Sequence, residues 1–160
     1  MHSRSFSLPR IACALALGAI CHLSHALSPE SLSGGIIPAK RTMDYPWMTV
    51  ATWDRMHAED VLIAEHDQVD VLFVGDSITA GWDWQLWEKY FKPLNAANFG
   101  IGGDRTQHVI WRLQNGELDG IKPKVVQLMI GTNNSNGSDN TAEEIADGVK
   151  GIIDEIKKKS

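Results

Sequence analysis

Between residues 69 and 130 three short apolar runs alternate with polar turns and stretches of helical spacing. Val69 to Val74 is a β-branched run ending at Gly75, Asn95 to Phe99 a second ending at Gly100, and Lys124 to Ile130 a third ending at Gly131. Runs of this length, closed by glycine, predict strands. Val71-Leu72-Phe73-Val74 and Val125-Val126-Gln127-Leu128-Met129-Ile130 are nearly all apolar, as strands covered on both faces are. Each run precedes a stretch of helical periodicity. Strand and helix in alternation predict an α/β fold, with parallel strands and helices on both faces of the sheet.

Two helices are predicted outside this repeat. From about Thr49 to Glu65 the apolar residues Val50, Trp53, Met56, Val61 and Ala64 roughly follow helical spacing, and His57 and His66 beside them are expected to be solvated. After the third run, Thr141-Ala142-Glu143-Glu144 reads as a capping box, in which Thr141 and Glu144 satisfy each other's free backbone donors. Ile145, Val149, Ile152, Ile153 and Ile156 then make one apolar stripe, and Lys157, Lys158 and Lys159 sit at the negative end of the helix dipole.

The first residues belong to a different class. Arg4 and Arg10 precede an apolar stretch, Ile11 to Leu23, that is short for a bilayer span, and Ser24-His25-Ala26 has small residues where a signal peptidase reads. We expect a signal peptide over 1–26, with an uncleaved anchor as the alternative and Cys21 as a poor lipoprotein match. The mature protein would be periplasmic or extracellular, without stable membrane insertion. Its domains would be a tether or irregular lead-in, 27–48, and one globular domain, 49–160. Both cysteines, Cys13 and Cys21, fall in the leader, which leaves no disulfide, thiol nucleophile or cysteine metal site. The net charge of −5 becomes about −7 once Arg4 and Arg10 are removed. An acidic surface argues against nucleic acid as a partner.

In a parallel sheet, ligands bind where loops leave the C-terminal strand ends, so the three Gly-ended strands aim three loops at one place. The first, Gly75-Asp76-Ser77-Ile78-Thr79, sets a serine at a helix start, where developing negative charge is favoured. A plain N-cap serine reads the same way. The second, Asn98-Phe99-Gly100-Ile101-Gly102-Gly103-Asp104-Arg105-Thr106, lets backbone N–H groups approach a ligand, or is simply a tight turn; Arg105 replaces the third glycine of a dinucleotide fingerprint. The third, Gly131-Thr132-Asn133-Asn134, offers a side-chain amide to an oxyanion or makes an Asx-turn. Trp82, Trp84 and Trp87, just after Ser77, either line a sugar or acyl pocket or pack the helix onto the sheet.

Together the blocks Phe73-Val74-Gly75-Asp76-Ser77-Ile78-Thr79, Asn98-Phe99-Gly100-Ile101-Gly102-Gly103 and Ile130-Gly131-Thr132-Asn133 resemble the first three blocks of the SGNH (GDSL-like) hydrolases. The stretch from about Asp70 to Asn134 is especially similar to the subgroup of platelet-activating factor acetylhydrolase Ib catalytic subunits and bacterial secreted esterases. Trp111-Arg112-Leu113-Gln114-Asn115-Gly116-Glu117-Leu118 strengthens that match.

The resemblance implies a flavodoxin-like three-layer α/β/α fold and a serine esterase acting through an acyl-enzyme. It makes Ser77 the nucleophile, and the N–H of Ser77, the N–H of Gly103 and the Asn133 amide the oxyanion hole. Asp76 would buffer the loop's hydrogen bonds. No metal or organic cofactor is implied. The substrate would be a small-molecule ester, a short-acyl carbohydrate or small lipid; the oligomeric state is unknown.

The family's base comes from an Asp-x-x-His block downstream of the third loop, and no such block follows Asn133 here. His108 is expected to be structural or at the surface. With three of about five strands encoded, we expect a C-terminally truncated domain, inactive by itself, with the apolar third strand as an uncovered edge. The alternative function is a non-catalytic carbohydrate- or partner-binding module derived from this fold.

Overall fold

The computed structural model describes residues 34–136 and 140–159. The expected signal peptide and the first part of the lead-in lie outside them. Three parallel strands, β1 (Val71–Gly75), β2 (Ala96–Gly100) and β3 (Val125–Met129), form one sheet in the order β2-β1-β3. Gly75 pairs with Gly100 on one side and Met129 on the other, so the three C-terminal ends finish level. Helices flank the sheet in a three-layer α/β/α arrangement, as the alternating pattern predicts.

Pleating sends successive side chains to opposite faces. Leu72 and Val74 of β1 join Ala97 and Phe99 of β2 in the main core. That core is closed by Val109 and Ile110 of α4 (Thr106–Arg112), by Leu113 just beyond it, by Ile152 of α6 (Ala142–Lys159) and by Ala64 of α1 (Val50–His66). Full burial of a valine, leucine, isoleucine or phenylalanine side chain stabilises the fold by roughly 1.5–3 kcal/mol. Phe73 faces the other way, in edge contact with Trp87 and Phe91 at centroid distances of 5.0 Å each. Of the three clustered tryptophans, Trp82 and Trp87 pack on this second face, whereas Trp84 is 70% exposed.

The stretch after β1 is more broken than its periodicity predicts. It holds two short helices, α2 (Ser77–Ala80) and α3 (Trp84–Leu86), then a wide turn over Trp87–Phe91 and a 3₁₀ turn over Lys92–Leu94. Gly81 follows α2, Asp83 restarts the chain by accepting from the N–H groups of Gln85 and Leu86, and Pro93 stands in the last turn. At the far end, Thr141 and Glu144 form the predicted capping box, with N···O distances of 2.9 and 3.2 Å. The stripe on α6 is narrower than its five isoleucine and valine positions suggest, since Ile153 is 39% exposed. β3 departs from the reading of a strand covered on both faces, since Val125 and Met129 are exposed, but it lies at the sheet's edge as expected of the third strand.

The described lead-in is irregular but packed. Ala39 N–H donates to the Gln107 carbonyl at 3.1 Å, and Thr106 Oγ1 donates to the Gly35 carbonyl at 2.8 Å. A methyl group on Gly148 would lie 2.5 Å from Thr106 Oγ1 and 2.6 Å from the Gly35 carbonyl, so α6 meets α4 and the lead-in at backbone distance.

Candidate active site

Asp76 caps α2, its buried carboxylate accepting from Ile78 N–H at 2.9 Å. Burial pushes this carboxyl above its ordinary range. Its bonding is that of a loop-holding residue. Ser77 is the first residue of α2 and is exposed at the rim of the sheet.

The second loop folds over the first. Ile101 N–H donates to the Gly75 carbonyl at 3.1 Å. A methyl on Gly102 would lie 3.9 Å from Ser77 Cβ. At Gly100 there is no room at all: a methyl would stand 2.3 Å from the Ala80 nitrogen, so α2 crosses the end of β2 in backbone contact. Gly103 has φ of +75°, a conformation that favours glycine.

The third loop supplies Asn133 on α5 (Thr132–Ser135), after Gly131 with φ of +117°. Asn133 Nδ2 donates to the Asp104 carbonyl at 2.8 Å and stands 3.5 Å from Asp76 Oδ2. One side chain thus touches both other loops. Its neighbour Asn134 is fully buried and ties the third loop to α4, accepting from Thr106 N–H at 2.9 Å and donating to Gln107 Oε1 at 2.9 Å.

Beside the rim lies a cavity of about 240 Å³ lined by Tyr45, Trp47, Gly103, Arg105, Asn133 and Asn136. Two of its walls come from the lead-in. Tyr45 and Met48 exchange backbone hydrogen bonds at 2.9 and 3.1 Å, and the Tyr45 and Trp47 rings stack within 4° of parallel. A larger cavity of about 370 Å³, between Asp70, Leu94 and Lys124, sits at the opposite, N-terminal end of the strands.

Under the second loop lies a buried charge cluster that sequence reasoning missed. Asp104 accepts from Trp53 Nε1 at 2.6 Å and from Arg112 Nε at 2.8 Å, and Arg41 Nη2 stands 3.5 Å from it. Arg112 also donates to Glu117 at 2.7 and 2.5 Å and to the Phe99 carbonyl at 3.0 Å. Burial alone would lower the Arg112 pKa, but Glu117, Asp104 and Asp60 together raise it above its ordinary value. Asp60, 3.6 Å from Arg112, is instead pushed up to about 8 by burial and then by the Glu117 charge.

The histidines take other places. His57 is not solvated as expected: its Nδ1 is 2.8 Å from Glu117 Oε1, and its ring lies against Trp53 and Trp111. Burial of Glu117 beneath α1 draws it in. Asp54, one helical turn before His57, binds Lys40 at 2.9 Å. His108 is fully buried and structural, its Nδ1 accepting from Arg105 N–H at 3.1 Å at the start of α4. His66 is 71% exposed. Among the described residues, no group of three or more His, Cys, Asp or Glu side chains is disposed to hold a metal ion.

A parallel sheet between helix layers, with a serine, a glycine-rich turn and an asparagine on three loops at one rim, defines a hydrolase-like α/β/α protein. Residues 73–160 match the GDSL-like Lipase/Acylhydrolase family, and the chain belongs to that family. It is 50% identical over 102 residues to platelet-activating factor acetylhydrolase IB subunit alpha2 of Homo sapiens, covering 63% of this chain and 43% of that protein. It is 43% identical over 107 residues to the alpha1 subunit of Mus musculus, covering 66% and 45%. A solved structure from Streptococcus pneumonia, named after platelet activating factor, superimposes with a TM-score of 0.53 at 25% identity, over 66% of this chain and 48% of its own. The chain therefore spans a little under half the length of these relatives.

Proposed function

We propose that the protein is an exported serine ester hydrolase in which Ser77 attacks the ester carbonyl and carries the acyl group. The observation that carries this reading is Asn133, whose carboxamide is bonded to Asp104 of the second loop and lies 3.5 Å from Asp76, the neighbour of Ser77. Acyl transfer puts negative charge on the former carbonyl oxygen. The N–H of Ser77, the N–H of Gly103 and the second N–H of the Asn133 amide are the donors suited to it. Donors held in advance need no reorganisation, and each contributes about 3–4 kcal/mol to the barrier reduction.

Serine needs a base to take its proton. His57 and His108 have structural partners. The family's pattern assigns the base to a histidine of an Asp-x-x-His block, oriented by its aspartate. The cavity of about 240 Å³ beside Gly103 and Asn133 suits a small group, in keeping with a short-acyl ester of a carbohydrate or small lipid. Arg4 and Arg10, the apolar stretch Ile11 to Leu23 and the small residues of Ser24-His25-Ala26 support export to the periplasm or beyond.

Hydrolysis of p-nitrophenyl acetate by the protein expressed from its complete reading frame tests the reading. Ser77→Ala is expected to reduce turnover to the buffer rate. Equal turnover by the two proteins would overturn the assignment.

A further inference from the structure

Arg41 belongs to the irregular lead-in, outside the family-matched residues 73–160. Its side chain is nevertheless among the most deeply buried in the protein, at 1% exposure. Nη2 donates to the Gly102 carbonyl at 3.0 Å and stands 3.5 Å from Asp104 Oδ1. The guanidinium lies 5.2 Å from the Tyr45 ring centroid. Nε and Nη1 find no hydrogen-bond partner among the described residues. Burying a guanidinium with two unsatisfied nitrogens is costly, so a purely structural role is poorly served by it.

The bonded carbonyl explains what the cost obtains. Gly102 C=O and Gly103 N–H belong to one planar peptide, and in a trans peptide they point to opposite sides. A cation fixed on the oxygen therefore fixes the direction of the N–H, and polarises it as a donor. Gly103 cannot set this direction by itself, since glycine is free to turn. The open face of Gly103 is closed on both sides: a methyl there would lie 2.8 Å from Arg41 Nη2 and 2.7 Å from the Trp47 ring. The same arginine flanks the Asp104 carboxylate, and the Asp104 carbonyl holds the Asn133 amide.

We propose that Arg41 is a positioning residue for the oxyanion donors, acting on Gly103 through the shared peptide and on Asn133 through Asp104. This rests on the esterase reading above. It makes the lead-in part of the reaction machinery and not a spacer.

The test uses Arg41→Ala and Arg41→Lys in the protein expressed from its complete reading frame, with Ser77→Ala alongside. Lys keeps the charge near Asp104 but has no planar fork to serve the carbonyl and carboxylate together. Expected is a fall in kcat on p-nitrophenyl acetate of at least tenfold in both variants, with KM within threefold. The inhibition constant of phenylboronic acid, which forms a tetrahedral serine adduct, should weaken by a similar factor. Added guanidinium should restore part of kcat to Arg41→Ala. If Arg41→Ala does not fold, Arg41→Lys decides by the same two constants. Wild-type kcat in a folded Arg41 variant, or a change in KM alone, overturns the proposal while Ser77→Ala stays inactive. Turnover by Ser77→Ala instead overturns the esterase reading itself, and this proposal with it.

Discussion

Asn133 and Asp104 meet through a side-chain amide and a backbone carbonyl 2.8 Å apart. The bond uses one of the two N–H groups of the carboxamide and fixes its plane, and the amide nitrogen also stands 3.5 Å from Asp76 Oδ2. In the proposed reaction the second N–H receives the oxyanion. Asn133→Ala is expected to lower kcat about 10²–10³-fold with little change in KM, because the interaction strengthens only as charge develops. Steady-state kinetics on p-nitrophenyl acetate check it. A loss confined to KM would assign Asn133 to substrate binding instead.

Trp53 is the residue by which α1 reaches the site loop, its indole N–H donating to Asp104 Oδ1 at 2.6 Å in a fully buried setting. Trp53→Phe keeps most of the ring and removes the donor. A hydrogen bond to a buried charged group is worth about 1.5–3 kcal/mol. The variant is expected to lose about that much stability, read as a lower urea midpoint at unchanged slope. An unchanged midpoint would mean that Arg112 and Arg41 hold the carboxylate without help.

Asp60 gives stability a pH dependence. Its carboxyl is pushed up from 3.8 to about 8 by burial and by the Glu117 charge, with Asp104 and Glu59 adding to the effect and Arg112 opposing it. Between those values the folded protein keeps a proton that the unfolded chain has released. This group's contribution therefore falls as pH rises from about 4 to about 8. Asp60→Asn has no such proton to lose, and should gain on the wild type by about 1 kcal/mol or more between pH 5 and pH 8. Urea unfolding at the two pH values measures the gain. Parallel stabilities would show that Asp60 is ionised in the fold.

Gly100 is one of the points where α2 touches the sheet. Its missing side chain leaves space that the Ala80 nitrogen and the Thr79 carbonyl carbon fill, at 2.3 and 2.8 Å from where a methyl would be. Backbone cannot move aside as a flexible side chain can. Gly100→Ala is expected to cost about 3 kcal/mol and to lower kcat by shifting α2, which carries Ser77. Circular-dichroism melting and p-nitrophenyl acetate kinetics read the two effects. A stable variant with full activity would contradict the close approach.

Much of the sheet was legible because its signals are local. Three short runs ended by Gly75, Gly100 and Gly131, the first of them β-branched, lie within a residue or two of the observed strands. The capping box of Thr141 and Glu144 is a three-residue relationship and needed no tertiary knowledge. The architecture and the family were legible for the same reason. What the sequence hid acts across distance. Arg41 meets Gly102 across 61 positions, and His57 meets Glu117 across 60. No periodicity connects residues so far apart. The Ser, Gly and Pro composition of the lead-in suggested a tether, yet its only strong clue was an arginine shortly before Tyr45 and Trp47. The broken course after Ser77 was obscured for another reason: Trp82, Trp87 and Phe91 gather on Phe73 through irregular turns that still scatter apolar residues at near-helical intervals.

The knot of Gly35, Thr106 and Gly148 bears on how the molecule is made. The Gly35 carbonyl receives the Thr106 hydroxyl at 2.8 Å, and α6 passes against both without a side chain between them. Residues separated by more than a hundred positions must therefore arrive together. During synthesis the stretch that bears Arg41 leaves the ribosome before Gly148, so the contact between Gly35 and Gly148 is completed only once α6 has been made. A methyl at Gly148 would wedge α6 away from Thr106 and Gly35, and so loosen the segment from which Arg41 reaches Gly102.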